Sequence, residues 1–95
     1  MFVLHIGLVL KEASGQSLER TFVDEIRPAI SSQEGFSDVQ LLRPVVDAAN
    51  YCLVISFTAQ EHQEKWVASD LHQEVWPALA KHCDDFILNK YNSIQ

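Results

Sequence analysis

The residues best suited to chemistry lie close together in the stretch over residues 61–83, which holds both tryptophans and three of the four histidines. His72 is the natural general base among them, because an imidazole titrates near neutral pH. Trp66 and Trp76 offer flat, polarizable walls for a ring-shaped ligand. His72 and Trp76 are one helical turn apart and are therefore predicted to touch. The alternative is that all three rings are ordinary core and rim packing.

Such a group could take a proton from a hydroxyl group of an aromatic compound bound in an apolar pocket. We predict that Phe22 and Ile26 line this pocket from a facing helix and that Ile6 lines it from a strand. Arg43 could steer an anionic ligand, and an exposed charge at a sheet edge is the alternative.

The sequence offers little support for metal, disulfide or phosphate chemistry. His62, His72 and His82 recur every ten residues, so each is rotated by roughly 280° from the last on a helix and the three do not converge on a metal. Cys52 and Cys83 form no CxxC pair, which argues against a zinc site or a disulfide scaffold and favours a reducing, cytoplasmic setting. Three glycines are too few for a phosphate-binding loop.

Composition and charge bound the fold and the partners. The chain has 95 residues, of which 47% are apolar, and is predicted to form one globular domain over 1–95. Thirteen acidic residues against seven basic ones give a net charge of −6, so nucleic acid and anionic membrane surfaces are not expected as partners. The apolar run over residues 1–10 is too short to span a bilayer and is predicted to be a buried strand.

The spacing of apolar residues predicts the order strand, helix, strand, strand, helical segment, strand. The strands are placed over 2–10, 36–44, 51–58 and 86–91, with a turn over 47–50. The first strand is apolar on both faces, which is typical of a central strand, whereas the more polar second strand is placed near an edge. Ser17 is predicted to cap a first helix whose apolar residues recur every four positions over 18–30, and Pro28 would disturb its last turn.

The segment over 61–83 is predicted to be two helices rather than one. A single straight helix would place Trp66 opposite the apolar stripe that packs on the sheet, which would expose the indole to water. A break near Ser69 and Asp70 avoids this, and Asp70 followed by Gln73 resembles a helix start. Pro77 lacks the N–H that would bond the Gln73 carbonyl, so a bend is expected in the second helix.

With right-handed crossovers this order predicts an α+β, ferredoxin-like β-α-β-β-α-β fold, in which helices cover one face of a four-stranded antiparallel sheet. No helix is left to cover the other face. That face is predicted to carry Val3, His5, Val9, Cys52 and Val54. It is too apolar to stay in water, so we expect a homodimer that buries sheet against sheet.

Several short motifs carry a family resemblance over nearly the whole chain. Gly35 and Phe36 open the second strand, Phe57 ends the third before Thr58 leads into a helix, and Trp66 is followed by a Ser-Asp-Leu-His helix start. Together these motifs resemble the antibiotic biosynthesis monooxygenase domain family. The resemblance implies a dimeric α+β barrel with a ligand cavity between the sheet and the helices of each subunit. It also implies either cofactor-independent monooxygenation of a small phenol or quinol, or a non-catalytic binding or structural module. In the first case an electron-rich phenol or hydroquinone, once deprotonated, can pass an electron to O₂ directly, so the protein needs only an apolar pocket and a base.

The heme-degrading branch of this family fits the sequence less well. The resemblance implies an asparagine on the first strand, a tryptophan on the first of the paired helices, and a heme-ligating histidine ten positions later. Trp66 matches the tryptophan, but the asparagine position falls near Ile6 and the histidine position is Trp76. His72 lies four positions too early and would point along a different edge of the helix. No cofactor is therefore expected.

Overall fold

The computed structural model describes residues 1–47 and 49–94, and the elements follow the predicted order. The predicted turn over 47–50 includes residue 48 and so lies outside the described residues. In chain order the elements are β1 (Phe2–Leu10), α1 (Gly15–Thr21), a π-helical segment (Phe22–Ile26), α2 (Arg27–Ser31), β2 (Phe36–Leu42), β3 (Tyr51–Phe57), α3 (Gln60–Ala68), α4 (Asp70–Ala80) and β4 (Cys83–Asn92).

The four strands form one antiparallel sheet in the order β2-β3-β1-β4. β1 is an interior strand and β2 an edge strand, as the polarity of their two faces predicts. The sheet and its helices form the predicted ferredoxin-like α+β fold. Among the described helices, none has the length and apolar character needed to cross a membrane.

The core lies between the helices and one face of the sheet. On β1 the buried residues alternate with half-buried ones, and their partners on β3 are buried too: Phe2 pairs with Phe57, Leu4 with Ile55 and Ile6 with Leu53. This alternation follows from the two-residue period of a strand, which sends successive side chains to opposite faces. The helices therefore cover one face of the sheet, and the other is left without a covering element of the described chain.

The first helix begins earlier than the sequence predicts and changes its winding. Ser14, not Ser17, is the N-cap, and its side chain makes no capping hydrogen bond. The helix then runs without a break to Ser31, but Arg27 donates its N–H to the carbonyl of Phe22, five residues back. This wider turn precedes Pro28, whose ring would clash with the carbonyl four residues back in an α-helix. The predicted disturbance at Pro28 is thus a π-helical segment ahead of the proline.

The wider turn also explains how an every-fourth-residue pattern stays on one face. Residues four apart drift by about 40° per step around an α-helix, which over three steps would carry the last residue away from the core. A π-helical turn holds more residues and reduces this drift. Leu18, Phe22, Ile26 and Ile30 are accordingly all buried.

β4 begins at Cys83, three residues before the predicted start of the last strand. Asp84 and Asp85 are exposed, and the sequence places them in a loop before the last strand. In the structure their backbone continues the pairing of β4 with β1, across a register shift between Val9 and Leu10. Backbone pairing with a central strand outweighs the low strand propensity of aspartate at an edge.

Gly35 is a position where the backbone requires glycine. Its φ is +77°, and an added Cβ would lie 2.3 Å from two ring carbons of His62. We expect Gly35→Ala to lower the free energy of unfolding by at least about 1–2 kcal/mol from the left-handed backbone alone, with a further loss from displacing the His62 ring. Urea denaturation at fixed protein concentration measures this loss. A Gly35→Ala/His62→Ala double variant should recover only the part of the stability loss that comes from the clash with the His62 ring. If Gly35→Ala alone left the stability unchanged, the requirement for glycine at this position would be contradicted.

Candidate functional site

The junction of α3 and α4 positions the aromatic side chains. Ser69, not Asp70, is the N-cap of α4: its hydroxyl oxygen accepts the backbone N–H of His72 at 3.1 Å and donates to the carbonyl of Trp66 at 2.6 Å. Gln73 donates its side-chain amide to the carbonyl of Val67 at 3.0 Å, which further ties the second helix to the first. A single serine thus sets the relative placement of Trp66 and His72, and the predicted break between two helices is confirmed.

Four aromatic rings form a continuous chain across this junction. The ring centroids of Trp66 and His72 are 5.1 Å apart with the planes at 86°, and the rings of His72 and Trp76 are stacked at 5.4 Å with an interplanar angle of 12°. Trp76 in turn lies 5.4 Å from the ring of Phe86 on β4. The predicted contact between His72 and Trp76 is therefore present, and the imidazole is held by packing on both sides.

The rings of Trp66, His72 and Trp76 form one wall of a cavity of about 270 Å³ between the sheet and the paired helices, here termed the tryptophan cavity. Its floor comes from β1, β3 and β4, and its roof from α3 and α4. The lining residues are Leu4, Ile6, Ile55, Phe86 and Leu88 on the floor and Gln63, Trp66, Val67, His72 and Trp76 on the roof. For comparison, an apolar protein cavity of about 150 Å³ accommodates benzene, so this volume suits one or two fused rings.

His72 is the titratable residue that lines this cavity. Desolvation lowers its pKa below the usual 6.5, because burial among aromatic rings penalises the charged imidazolium. Its Nδ1 is buried, and no described residue forms a hydrogen bond with it. The imidazole is therefore neutral at neutral pH and is oriented by stacking rather than by a carboxylate or carbonyl partner. A neutral imidazole in an apolar wall can accept a proton from a bound ligand.

Two of the residues predicted to line the pocket do not reach it. Ile6, Trp66, Trp76 and His72 meet at the tryptophan cavity as expected. Ile26 is buried in the core at 2% exposure, and Phe22 faces a different cavity near the sheet edge, so neither lines the tryptophan cavity. The physical reason is that the tryptophan cavity lies over β1, β3 and β4, whereas the C-terminal part of the first helix packs on the edge strand β2.

The second cavity, here termed the edge cavity, has a volume of about 290 Å³. It is lined by Glu19, Phe22, Val23, Arg27, Leu41, Arg43 and Tyr51. The guanidinium of Arg43 donates from Nε to Glu19 Oε2 at 2.8 Å and from Nη2 to Oε1 at 2.5 Å, and the hydroxyl of Tyr51 donates to Oε2 at 2.5 Å. The hydrogen bonds from Arg43, which have the larger effect, and from Tyr51 lower the pKa of Glu19 to about 2.

This pairing bears on the two expectations for Arg43, which was predicted either to steer an anionic ligand or to be an exposed charge at the sheet edge. Its side chain is 71% exposed directly after the edge strand β2, its charge is offset by Glu19, and it lies at the edge cavity. A charge-paired guanidinium outside the tryptophan cavity exerts little pull on a ligand there. The sequence does not reveal the pair because Glu19 and Arg43 are 24 positions apart and on different elements.

The remaining histidines and the cysteines lie apart from each other. His62 packs against Gly35, and His82 lies 3.3 Å from the hydroxyl of Thr21. Within residues 1–47 and 49–94, no three His, Cys, Asp or Glu side chains come together as a metal site would need. Cys52 and Cys83 are free thiols whose pKa values are raised mainly by burial, so both favour the protonated form.

Six lining residues were not predicted from the sequence: Leu4, Ile55, Gln63, Val67, Phe86 and Leu88. Phe86 and Leu88 lie on the inner face of β4, and the register that pairs them with Leu8 and Ile6 places them at the cavity floor. Gln63 is 94% buried despite its amide, since its exposure is 6%. The available signal was its position three residues before Trp66, on the same face of α3.

A ferredoxin-like α+β domain with an aromatic cavity between its sheet and its paired helices is the class of protein that this geometry defines. The family model for antibiotic biosynthesis monooxygenases matches residues 1–77, and the chain belongs to that family. The resemblance stated from the sequence motifs is thereby confirmed. Among proteins of curated function, none matches the sequence significantly.

Solved structures with the same fold span nearly the whole chain. A Caulobacter crescentus protein provisionally named an antibiotic biosynthesis monooxygenase superposes with a TM-score of 0.85 at 13% identity, covering 99% of this chain and 90% of that one. SnoaB, a cofactor-independent oxygenase from Streptomyces nogalater, gives 0.82 at 16% identity with 99% and 94% covered. A heme-degrading protein from Mycobacterium tuberculosis gives 0.74 at 22% identity with 100% and 96% covered. At these identities the likeness shows the fold.

The residues of the tryptophan cavity do not fit a heme. The position that the resemblance assigns to a ligating histidine is Trp76, whose indole stacks on His72, packs at a tilt against Phe86 and offers iron no lone pair. Nδ1 of His72 is buried. The volume of about 270 Å³ also lies below the roughly 300–1,000 Å³ of sites for drug-sized ligands.

Proposed function

We propose that this protein is a cofactor-independent monooxygenase that oxidises a small quinol- or phenol-like compound in the tryptophan cavity. The observation that carries the proposal is a neutral histidine, His72, between two tryptophans on the wall of an apolar cavity. Family membership supports the class of reaction, and the fold shared with a cofactor-independent oxygenase supports the absence of a bound redox group.

The chemistry requires one base and an apolar site. His72 accepts the proton of a hydroxyl group, and the resulting phenolate passes one electron to O₂ to give a phenoxyl radical and superoxide. The two radicals combine to form a C–O bond at a ring carbon that carries hydrogen. The imidazolium of His72 then protonates the outer peroxide oxygen, and the O–O bond breaks as the ring carbon loses its proton to His72. The departing hydroxide takes that proton and leaves as water, which returns His72 to its neutral form. One hydroquinone and one O₂ thus give one hydroxyquinone and one water, and the substrate loses four electrons.

The surroundings of His72 favour the proton transfer and the electron transfer in different ways. Apolar walls exclude the water that would solvate superoxide and quench it. The aromatic faces of Trp66 and Trp76 align a planar ring beside the imidazole. The lowered pKa keeps His72 in its basic, unprotonated form at neutral pH. A general base of this kind contributes typically 10²–10⁴-fold to the rate.

The test is oxygen uptake by the metal-free protein over a panel of quinols and phenols. We expect consumption of O₂ above the rate of spontaneous oxidation for ligands of one or two fused rings, in proportion to protein concentration and unaffected by a chelator. No uptake over the whole panel would contradict the proposed reaction. Uptake abolished by a chelator would instead indicate a metal-dependent reaction and would equally contradict it.

A non-catalytic binding module of the same fold is the second candidate. The feature that favours it is Nδ1 of His72, which has no hydrogen-bond partner among the described residues, whereas a general base is usually oriented by one. A binding module would take up aromatic ligands in the tryptophan cavity, measured as quenching of tryptophan fluorescence, and leave their rate of oxidation unchanged. Binding accompanied by accelerated oxygen uptake would exclude this candidate.

We further propose that the protein is a homodimer that buries the outer sheet face, defined here as the face opposite the helices. The apolar residues of this face are all at least partly exposed in the isolated chain and come from all four strands. They are Val3 and Val9 on β1, Leu42 on β2, Cys52 and Val54 on β3, and Ile87 and Tyr91 on β4. Ile87 and Tyr91 expose about half of their surface, and Tyr91 packs edge-on against His5 at 4.9 Å. Family membership supports the dimer, since members are typically dimeric.

A further inference from the structure

Gln63 is a buried polar side chain without a partner. It lies on α3 at 6% exposure and lines the tryptophan cavity. The other buried residue with a polar side chain in the described chain, Thr21, contacts His82, whereas no described residue hydrogen-bonds the Gln63 amide. The fully buried and unpaired side-chain nitrogen and oxygen atoms of the described residues are Nδ1 of His62 and Nδ1 of His72, so the Gln63 amide keeps some contact with solvent. A ligand in the tryptophan cavity can replace that solvent as the hydrogen-bond partner of the amide.

The position of Gln63 defines where that partner must be. Gln63 lies one turn before Trp66 on α3, and His72 lies on α4, so the two polar groups come from different helices over one floor. Apart from the indole N–H groups, every other lining side chain is a hydrocarbon: Leu4, Ile6, Ile55, Val67, Phe86 and Leu88. A ligand that satisfies both helices therefore has an apolar ring and two separate oxygen functions.

We propose that Gln63 is a specificity-determining residue that hydrogen-bonds one oxygen of the ligand while His72 takes the proton of another, so that the substrate is a dihydroxyaromatic rather than a simple phenol. This inference rests on the proposed function for the role of His72. An amide suits the task because it both donates and accepts. It can accept from the hydroxyl of a hydroquinone and donate to the carbonyl of a quinone, so it remains paired before and after oxidation.

The test uses binding under argon, so that it does not depend on turnover. Naphthohydroquinone, naphthol and naphthalene carry two, one and no oxygen functions on the same ring, and their binding is followed by the quenching of Trp66 and Trp76 fluorescence. We expect the wild type to bind naphthohydroquinone about tenfold or more tightly than naphthol, because a site built to bond a hydroxyl leaves its polar group unpaired with the analogue that lacks it. Gln63→Leu should remove that preference and leave naphthalene affinity unchanged or improved.

A Gln63→Met variant separates hydrogen bonding from shape. Methionine has a similar length but only a weakly accepting thioether, so it should retain naphthalene and lose the preference for naphthohydroquinone. The proposal is overturned if Gln63→Leu weakens naphthalene as much as naphthohydroquinone, if it changes neither, or if the wild type binds none of the three. Gln63→Leu could lose the preference for naphthohydroquinone over naphthol while the wild type shows no O₂ uptake with any substrate. That combination would support the role of Gln63 in ligand binding and contradict the proposed reaction, so the two proposals can fail separately.

Discussion

Replacing His72 with glutamine is expected to lower oxygen uptake with a quinol substrate by about 10²–10⁴-fold while leaving the fold intact. Glutamine preserves a planar polar group of similar reach between Trp66 and Trp76 but cannot take a proton at neutral pH. Binding of the aromatic ring, measured under argon, should change much less than turnover, because the apolar floor and both tryptophans remain. The split between binding and turnover identifies a residue that acts in the chemical step.

The pH profile gives the same prediction an independent signature. Because desolvation lowers the pKa of His72, its basic form persists below pH 6.5, the ordinary value for histidine. We expect kcat/KM of the wild type to stay level down to about that pH and to fall only as the solution becomes more acidic than the lowered pKa. The residual activity of His72→Gln should lack this acidic limb.

His62→Gln is the matched control for this variant. His62 also has a buried Nδ1 without a partner among the described residues, but it packs against Gly35 rather than at the tryptophan cavity. It should change turnover by less than a factor of two or so if the effect at position 72 is chemical. Equal losses in the two variants, or full activity in His72→Gln, would contradict the assignment of His72 as the base.

Replacing Val54 with glutamate is expected to convert the protein from a dimer to a monomer. Val54 lies on the outer sheet face, between His5 on β1 and Gln40 on β2, and is half-buried even in the isolated chain. A two-fold axis would bring two such carboxylates into one dry interface, where each unpaired charge costs several kcal/mol. Light scattering after gel filtration at micromolar concentration should give twice the 10.8 kDa chain mass for the wild type and the chain mass for the variant.

Val23→Glu is the control for the dimer. Val23 is 49% exposed on the π-helical segment, on the helix-covered side of the molecule, so the same change in charge and volume is made away from the outer sheet face. It should leave the mass unchanged. A monomeric wild type would contradict the proposed dimer, and dissociation by both variants would attribute the effect to net charge, which is already −6.

The sheet and its order were predictable from the sequence because β1 and β3 have strongly alternating or doubly apolar patterns. The paired helices were predictable because Trp66 could not be buried by one straight helix. Two caps were placed wrongly, at Ser17 and Asp70, although a serine one to three residues earlier is the N-cap in each case. Several residues near each helix start are of a type that can act as an N-cap. The local sequence does not show which of them is used, because tertiary packing determines where the helix begins.

The candidate site was less predictable because it depends on which half of the sheet each helix covers. The sequence grouped Trp66, His72, Trp76 and Ile6, which lie together at the tryptophan cavity, and three of them share two adjoining helices. It also added Phe22 and Ile26, which lie elsewhere, because an amphipathic pattern shows that a helix packs on the sheet but not on which strands. Gln63 and the floor from β4 required the register between β1 and β4, which only the three-dimensional structure provides.

The most direct test of oxygenation in the tryptophan cavity is mass spectrometry of the product formed from a hydroquinone under heavy-isotope-labelled oxygen gas by chelator-treated protein. One labelled oxygen atom should enter each product molecule while the second appears in water, and His72→Gln should form little labelled product. Product without label, or labelled product formed equally well by His72→Gln, would contradict monooxygenation by this cavity.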